Sequence, residues 1–260
     1  MEVKQFSGVL PNGVTTYCPG CEHGLLLKFI AMALDELGMT EKAIMVGSVG
    51  CSTLAYKFLN VDYVQAPHGR APAVMTAIKL LEKDKLVFAI QGDGDALSIG
   101  LAELLHAANR GVPITVFMYN NMVFGMTGGQ MAPTTPEGMV TTTTPFGRDI
   151  KQMGPPMDAC KILSSFPNIA YLKRVVITPK PLFTKDRVMY SSKEAIESYK
   201  AVLNAFKVQM MGGFSFVEFL GTCNVNWKMS ILDSKVYVHK VGVKNFPPGL
   251  CRDAFGVDGK

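Results

Sequence analysis

Four apolar segments of this chain each run straight into a polar or thiol residue. Ala43–Val49 ends at Gly50-Cys51, and Leu86–Gln91 runs into Gly92-Asp93-Gly94-Asp95. Ile114–Tyr119 runs into Asn120-Asn121, and Phe214–Leu220 into Gly221-Thr222-Cys223. Runs this short and apolar, bounded by glycine or polar residues, read as buried strands. Helix-like stretches lie between them. Glu22–Leu37 puts Leu25, Leu26, Phe29, Ile30, Ala33 and Leu37 on one face and meets Gly38 as a stop. Pro72 suits the first turn of a helix reaching about Lys83. Leu97–Asn109 and Lys193–Met211 read as two more helices, and Arg174–Thr178 as a further strand. The alternation predicts an α/β fold, a mostly parallel sheet flanked by helices. In such a sheet the strand C-termini share one edge, where ligand sites of open α/β folds lie. The pattern therefore predicts one site built from four loops.

Composition narrows the class. A chain of 260 residues, 48% hydrophobic, suits one large domain with a trailing extension. Residues 1–228 are read as that domain and 229–260 as a tail lying on a partner subunit. No apolar run reaches the length of a membrane span, and Met-Glu-Val-Lys-Gln-Phe has no signal-peptide core, so a cytoplasmic protein is expected. Six cysteines in that setting read as ligands or buried thiols rather than disulfides. The net charge is +5, its basic residues dispersed except in the C-terminal third, with no Arg/Lys stripe interleaved with aromatics, which argues against nucleic-acid binding. It reads as a solvated surface, or as a docking face for an acidic electron carrier. The Gly-, Thr- and Pro-rich stretch 124–156 reads as a long functional loop.

Gly92-Asp93-Gly94-Asp95 sits between a predicted strand and a predicted helix. Its glycines let the backbone approach a phosphate closely, and N–H groups at a helix start favour an anion. A carboxylate there can hold a divalent cation that bridges diphosphate oxygens. Asn121 follows Asp93 by 28 positions, at the end of the next strand. Its amide oxygen suits a second Mg²⁺ ligand, and the carbonyl of Val123 a third. The plainer reading is a turn followed by a strand-end cap. No Gly-x-Gly-x-x-Gly opens a helix, so a dinucleotide site is disfavoured.

Tyr17-Cys18-Pro19-Gly20-Cys21 precedes a helix. A Cys-x-x-Cys pair chelates one centre well, and alone it is open to zinc, an iron–sulfur cluster or a thiol–disulfide couple. Cys51 and Cys223 both follow strands, so the sheet edge could bring them to the same end. With Cys18 and Cys21 they would complete a four-thiolate set for a 4Fe–4S cluster. Two ordinary buried cysteines remain the alternative. Cys160, in an apolar helical stretch, and Cys251, in the tail, are read as non-ligands.

Taken together, these residues resemble the β subunit, or thiamine-binding part, of the 2-oxoacid:ferredoxin oxidoreductases. The resemblance runs from Tyr17 to about Trp227. It rests on Cys18-Pro-Gly-Cys21-x-His-Gly24, Gly50-Cys51-Ser52, His68-Gly69-Arg70, Gly92-Asp-Gly-Asp95 and Asn120-Asn121. Phe124 to Gln130, Ala132-Pro-Thr-Thr135 and Cys223 complete it. It implies thiamine diphosphate, Mg²⁺ and a 4Fe–4S cluster as cofactors. The implied reaction is coenzyme A-dependent oxidative decarboxylation of a 2-oxoacid, with electrons leaving for ferredoxin. It further implies that Gly50, Gly92, Asp93, Gly94, Asp95, Gly125, Met126 and Thr127 line the cofactor. His68 would face the reacting centre, and Arg70 would pair with a carboxylate or phosphate or equally brace the loop. Ser52 and Thr127 would donate hydroxyls beside the two halves of the site. His23 is read as a helix cap, with a hydrogen bond to a cluster sulfur as the alternative.

The chain departs from a complete enzyme of this kind. No second, pyrimidine-binding domain is present to supply the catalytic Glu, so a partner α subunit is expected to supply it. The Cys-x₂-Cys-x₂-Cys-x₃-Cys run of ferredoxin-type domains is absent, so onward clusters are expected on ferredoxin-like and γ subunits. Thr127-Gly128-Gly129-Gln130 carries no Lys, which disfavours a diacid substrate. The stretch from Gln130 through Asp149 looks most like members acting on branched-chain 2-oxoacids such as 3-methyl-2-oxobutanoate. A 2-oxoglutarate or pyruvate enzyme, a non-redox thiamine-dependent decarboxylase subunit and a zinc-stapled scaffold stay as alternatives.

Overall fold

The computed structural model describes residues 6–10 and 15–259. The first five residues of the stretch expected to lack a signal peptide, and Lys260 of the expected tail, lie outside the described residues. In chain order the first half runs α1 (His23–Glu36), β1 (Ala43–Gly47), β2 (Asp62–Gln65), α2 (Ala71–Leu81), β3 (Leu86–Gly92), α3 (Leu101–Arg110) and β4 (Thr115–Asn120). A small hairpin, β5 (Val123–Phe124) and β6 (Gln130–Met131), follows, then α4 (Ile150–Met153), α5 (Ala159–Ser164) and β7 (Ile169–Val176). The chain ends with a second hairpin, β8 (Pro181–Phe183) and β9 (Val188–Tyr190), then α6 (Lys193–Met210), β10 (Phe214–Leu220), α7 (Ile231–Tyr237), α8 (Val243–Asn245) and β11 (Gly249–Asp253).

Successive side chains of a strand point to opposite faces, and here both faces are apolar. Leu86, Phe88 and Ile90 of β3 join the layer under α1 and α6, while Val87 and Ala89 join the layer under α2, α3 and α5. Phe117 and Tyr119 of β4 face the first layer, Val116 and Met118 the second. The seven-stranded sheet runs β11-β7-β10-β4-β3-β1-β2. Every pairing is parallel except that of β11 with β7. The predicted parallel α/β sheet is thus the observed one, and the strands expected to share an edge, β10, β4, β3 and β1, are consecutive neighbours. No helix among the described residues is long and apolar enough to cross a membrane.

Three expectations need correction. The strand read as Arg174–Thr178 starts at Ile169. Lys173 and Arg174 interrupt its apolar pattern, yet both are buried, held by Asp258 and by Glu218 with Asp158. The helix read as Leu97–Asn109 opens with a π-helical turn, Asp95–Ile99, in which Gly100 N–H reaches Asp95 O at 2.8 Å. The segment after residue 228, expected as a tail on a partner, is built onto this chain. β11 extends the sheet, and Phe246 and Val238 complete an apolar cluster with Met122, Leu220 and Trp227.

Candidate functional site

The loops that follow β1, β3 and β4 line a cleft of about 100 Å³, and the loop that follows neighbouring β10 brings Cys223 to the same edge. After β3, Gly92 has open space where a side chain would stand, and a Cβ on Gly94 would fall 2.2 Å from the Phe124 ring. Glycine is therefore what lets this loop lie bare along the cleft. Asp93 is 2% exposed, with Thr134 Oγ1 donating to its Oδ2. Burial pushes its carboxyl up to about 7. No ion pair holds it among the described residues. A buried carboxylate with free lone pairs and no cation suits a hard divalent ion.

Asn121 closes the opposite wall. Its Oδ1 accepts the Val123 N–H at 3.2 Å and keeps a lone pair free. Met122, between them, takes φ +62, a left-handed conformation that costs a non-glycine residue energy. Asn120 holds the turn, accepting Met122 N–H at 3.1 Å and donating to Glu218 Oε1 at 2.7 Å. Thr135 Oγ1 donates to Met122 O at 2.6 Å.

The catalytic candidates separate. His68 lines the cleft, its Nδ1 against Asp95 Oδ1. Asp95, expected beside the diphosphate, is occupied by protein: Gly69 N–H donates to Oδ1 at 2.8 Å and Gln91 Nε2 donates to Oδ2. The His68 loop approaches so closely that a Cβ on Gly69 would fall 2.6 Å from Gly100 N. Arg70 takes the bracing alternative rather than a catalytic place. Its Nη1 pairs with Glu103 Oε1 and donates to Ile99 O at 3.2 Å, so it braces the loop outside the cleft. Ser52 is buried, its Oγ 3.4 Å from His23 Nε2. Thr127 and Met126 line the cleft on an exposed turn, and Thr127 Oγ1 donates to Gln130 Oε1 at 2.5 Å.

The thiols converge on the other side of the same loop. A Cβ on Gly125 would lie 3.2 Å from Asn121 Nδ2, 3.5 Å from Cys223 Sγ and 3.7 Å from Cys51 Sγ. Cys18 and Cys21 are drawn in by Glu22, a residue sequence reasoning passed over. Its Oε2 accepts from Thr222 N–H (2.9 Å), Thr222 Oγ1 (2.8 Å) and Tyr119 OH (3.0 Å), and its Oε1 accepts from Lys235 Nζ (2.8 Å). The Cys18–Cys21 turn is thereby fastened to the Thr222-Cys223 loop. Burial pushes the Cys21 thiol up to about 12 and the Cys51 thiol to about 11, and raises that of Cys223.

His23 is not a cap. Its ring is buried, stacked against Tyr17 and tilted against Tyr119, with Nδ1 3.1 Å from Cys21 Sγ. Burial lowers its pKa to about 3, so it is neutral. Asn226, also unforeseen, bridges the two halves, donating to Gly125 O at 2.8 Å and Cys223 Sγ at 3.1 Å. Arg148 gave no signal beyond one basic residue in a Gly/Thr/Pro stretch. It is 4% exposed and donates only to carbonyls, those of Ala132, Pro133, Thr135, Met153, Gly154 and Pro155.

Residues 48–203 match the family described as thiamine pyrophosphate enzyme, C-terminal TPP binding domain. Over 240 residues the chain is 41% identical to ketoisovalerate oxidoreductase subunit VorA of Methanothermobacter thermautotrophicus, covering 92% of this chain and 48% of that protein. It is 33% identical over 208 residues to 2-oxoglutarate synthase subunit KorB of Methanocaldococcus jannaschii, covering 80% and 68%. The chain spans about half the length of the VorA relatives it matches. A solved 2-oxoglutarate:ferredoxin oxidoreductase from Magnetococcus marinus, with 2-oxoglutarate, coenzyme A and succinyl-CoA bound, shares the fold. Its TM-score is 0.73 at 24% identity, over 97% of this chain and 86% of that one.

Proposed function

Because the chain belongs to the thiamine pyrophosphate enzyme family and carries its C-terminal TPP-binding domain, we propose that it is the cofactor-binding subunit of a 2-oxoacid:ferredoxin oxidoreductase. One observation carries the reading: a side chain placed on Gly125 would meet both Asn121 Nδ2 and the Sγ atoms of Cys223 and Cys51, so these groups surround one point. A decarboxylating cofactor and an electron acceptor held here would be neighbours.

Asp93, Asn121 and the carbonyl of Val123 would hold Mg²⁺ and through it the diphosphate, along the bare backbone of Gly92 and Gly94. Gly50, Gly125, Met126 and Thr127 would flank the rest of the cofactor. Cys18, Cys21, Cys51 and Cys223 would hold a 4Fe–4S cluster. Their spacing supports a cluster over zinc. With Zn–S bonds of about 2.3 Å, a tetrahedral zinc site holds its sulfurs within about 4 Å of one another. Among the described residues no three of these thiols lie within 4.8 Å of one another. When bound, thiamine diphosphate supplies the carbon nucleophile and electron sink for decarboxylation, and the cluster takes electrons one at a time. His68, aimed by Asp95, would meet the 2-oxoacid, and buried His23 would keep water from the Cys21 sulfur. A pyrimidine-domain α subunit would supply the Glu that serves the cofactor. Ferredoxin-like and γ subunits would pass electrons to ferredoxin, and coenzyme A would take the acyl group.

The substrate proposed is a branched-chain 2-oxoacid such as 3-methyl-2-oxobutanoate. The turn Thr127–Gln130 offers no cation for a second carboxylate, and the relative at 41% identity is named for ketoisovalerate. Co-purification with partner subunits under anaerobic conditions tests the reading. Iron, sulfide and thiamine diphosphate should be bound, and coenzyme A-dependent viologen reduction should be fastest with branched substrates. Stoichiometric zinc without iron would sink it, and Cys223→Ala with full cluster iron would remove that ligand. Faster turnover of 2-oxoglutarate would overturn the substrate alone.

A further inference from the structure

Asn226 holds the two halves of the cleft with one amide. Its Nδ2 donates to Gly125 O at 2.8 Å and to Cys223 Sγ at 3.1 Å. An amide nitrogen carries two N–H groups, so both bonds form at once. The side chain cannot turn over, because the Gly125 carbonyl only accepts and an amide oxygen there would face another oxygen. The sulfur is therefore met by a donor. His23, with Nδ1 3.1 Å from Cys21 Sγ, gives no such guarantee, since a ring nitrogen donates in one tautomer and accepts in the other.

Gly125 opens a closed turn. Its carbonyl also accepts Gly128 N–H at 3.3 Å, and Gly129 N–H donates to Phe124 O at 2.9 Å. Gly128 and Gly129 take φ +113 and +81, a region that favours glycine. Met126 and Thr127, at the tip, line the cleft. Gly129 lies against Asn226: a Cβ there would fall 3.0 Å from Asn226 Cβ and 3.2 Å from its Oδ1. The backbone that carries Asn226 is fixed in turn. Trp227 N–H donates to Cys223 O at 2.9 Å, and Trp227 Nε1 donates to Asn121 O at 3.1 Å. A shift of the 125–129 turn therefore pulls on the amide that serves the Cys223 sulfur.

We propose that Asn226 is a positioning residue that raises the reduction potential of the cluster bound through Cys223 and ties that potential to the placement of the Gly125–Gly129 turn. The inference rests on the cluster reading above. One-electron reduction adds a negative charge that spreads onto the thiolate sulfurs. An N–H aimed at one of them stabilises the reduced form more than the oxidised form, and hydrogen bonds to sulfur are among the features that set cluster potentials. With the turn seated as it is here, the amide is held on the sulfur and an electron is accepted more readily. A turn displaced from the cofactor draws the amide away, and the cluster becomes harder to reduce.

The complex, purified anaerobically, is titrated with dithionite and followed by electron paramagnetic resonance. The signal missing from Cys223→Ala identifies the cluster held here. Asn226→Leu keeps the shape and removes both N–H groups. Its one-electron reduction constant should fall about tenfold, a midpoint about 59 mV lower. Asn226→Gln sets the donor one methylene further out, and its midpoint should fall between those of Asn226→Leu and wild type. Gly129→Ala pushes on Asn226. It should lower the midpoint in the wild-type background and leave it unchanged in the Asn226→Leu background, the non-additivity of two residues that act through one contact. The proposal is overturned if Asn226→Leu changes the constant less than about twofold. It is equally overturned if Gly129→Ala shifts the midpoint by the same amount in both backgrounds. Should Asn226→Leu lose its iron, Asn226→Gln and Gly129→Ala carry the test, and wild-type midpoints in both overturn the proposal. A wild-type complex from which Cys223→Ala removes no cluster signal strikes the cofactor reading instead, whatever the Asn226 variants show.

Discussion

The two halves of the cleft are assembled by opposite means. The metal half comes from one stretch of chain, residues 92–156, and its polar groups are bound to one another before any ligand arrives. Thr134 serves Asp93, Asn120 and Thr135 hold the strained turn at Met122, and Arg148 gathers six carbonyls. The thiol half joins segments up to 205 positions apart, Cys18 to Cys223. One carboxylate, Glu22, fastens two of them, and burial makes the protons of the Cys21, Cys51 and Cys223 thiols hard to remove. The metal half is thus preorganised by protein contacts. The cluster proposed for the thiol half would finish it, because metal binding both deprotonates and links sulfurs.

The sharpest break in that comparison is at Arg148. Arg148→Ala would leave six loop carbonyls without their donor, at a cost on the order of 4 kcal/mol. Arg148→Lys should recover only part, since an ammonium cannot reach carbonyls on both sides as a planar guanidinium does. Denaturant midpoints measure both, and an alanine variant within about 1 kcal/mol of wild type would mean that the loop organises itself.

Asp93→Asn tests whether the preorganised half is built around a charge it does not itself neutralise. Thiamine diphosphate affinity in the presence of Mg²⁺ should fall on the order of 100-fold, read by calorimetry. Stability without ligand should move the other way. Burial raises the Asp93 carboxyl from 3.8 to about 7, so the folded chain holds this proton more tightly than the unfolded chain. Stability is therefore full below about pH 4 and lost as pH rises toward 7. The Asn variant should flatten that slope. An unchanged slope would place the burial penalty elsewhere.

On the thiol side, Glu22→Gln keeps the shape but removes the charge facing Lys235. A cost of about 2 kcal/mol is expected, because hydrogen bonds to charged groups are the stronger ones. More informative is iron retention during dilution. If Glu22 holds the Cys18–Cys21 turn against Cys223, the variant should lose iron faster than wild type while thiamine diphosphate affinity stays the same. Equal loss of both would mean that the two halves are not separately assembled.

This asymmetry also explains what could be read from the chain. Asp93 and Asn121 were legible because strand, helix and strand fix their spacing, and Cys51 and Cys223 because each ends a strand. Glu22 was not, since its partners Thr222 and Lys235 are 200 and 213 positions away. His23 was misread because helix-cap logic looks at the backbone, whereas Tyr17 and Tyr119 decide its burial. Lys173 and Arg174 hid the start of β7, since a pattern of apolar residues cannot reveal charges neutralised by Asp258, Asp158 and Glu218. Arg70 and Asp95 were placed by motif in the cleft, yet Glu103 holds Arg70 outside it, and Gly69, Gln91 and His68 take up the Asp95 carboxylate.

Asp95→Asn should have the smallest effect on stability and the most selective effect on the site. Gln91 Oε1 is buried with no partner. When the carboxylate becomes an amide, Gln91 can turn its own amide over and accept from Asn Nδ2, while Asn Oδ1 still accepts from Gly69 N–H. The fold should therefore lose less than about 1 kcal/mol. His68 Nδ1 lies against that same Oδ1, so it keeps an acceptor but loses the negative charge, and its contact weakens from charge-assisted to neutral. Side-chain ¹⁵N shifts of His68 should change while the denaturant midpoint stays nearly fixed. The opposite pattern, a loss above about 2 kcal/mol with the His68 tautomer unchanged, would make Asp95 a clamp between β3 and the Gly69 loop rather than the group that aims His68 into the cleft.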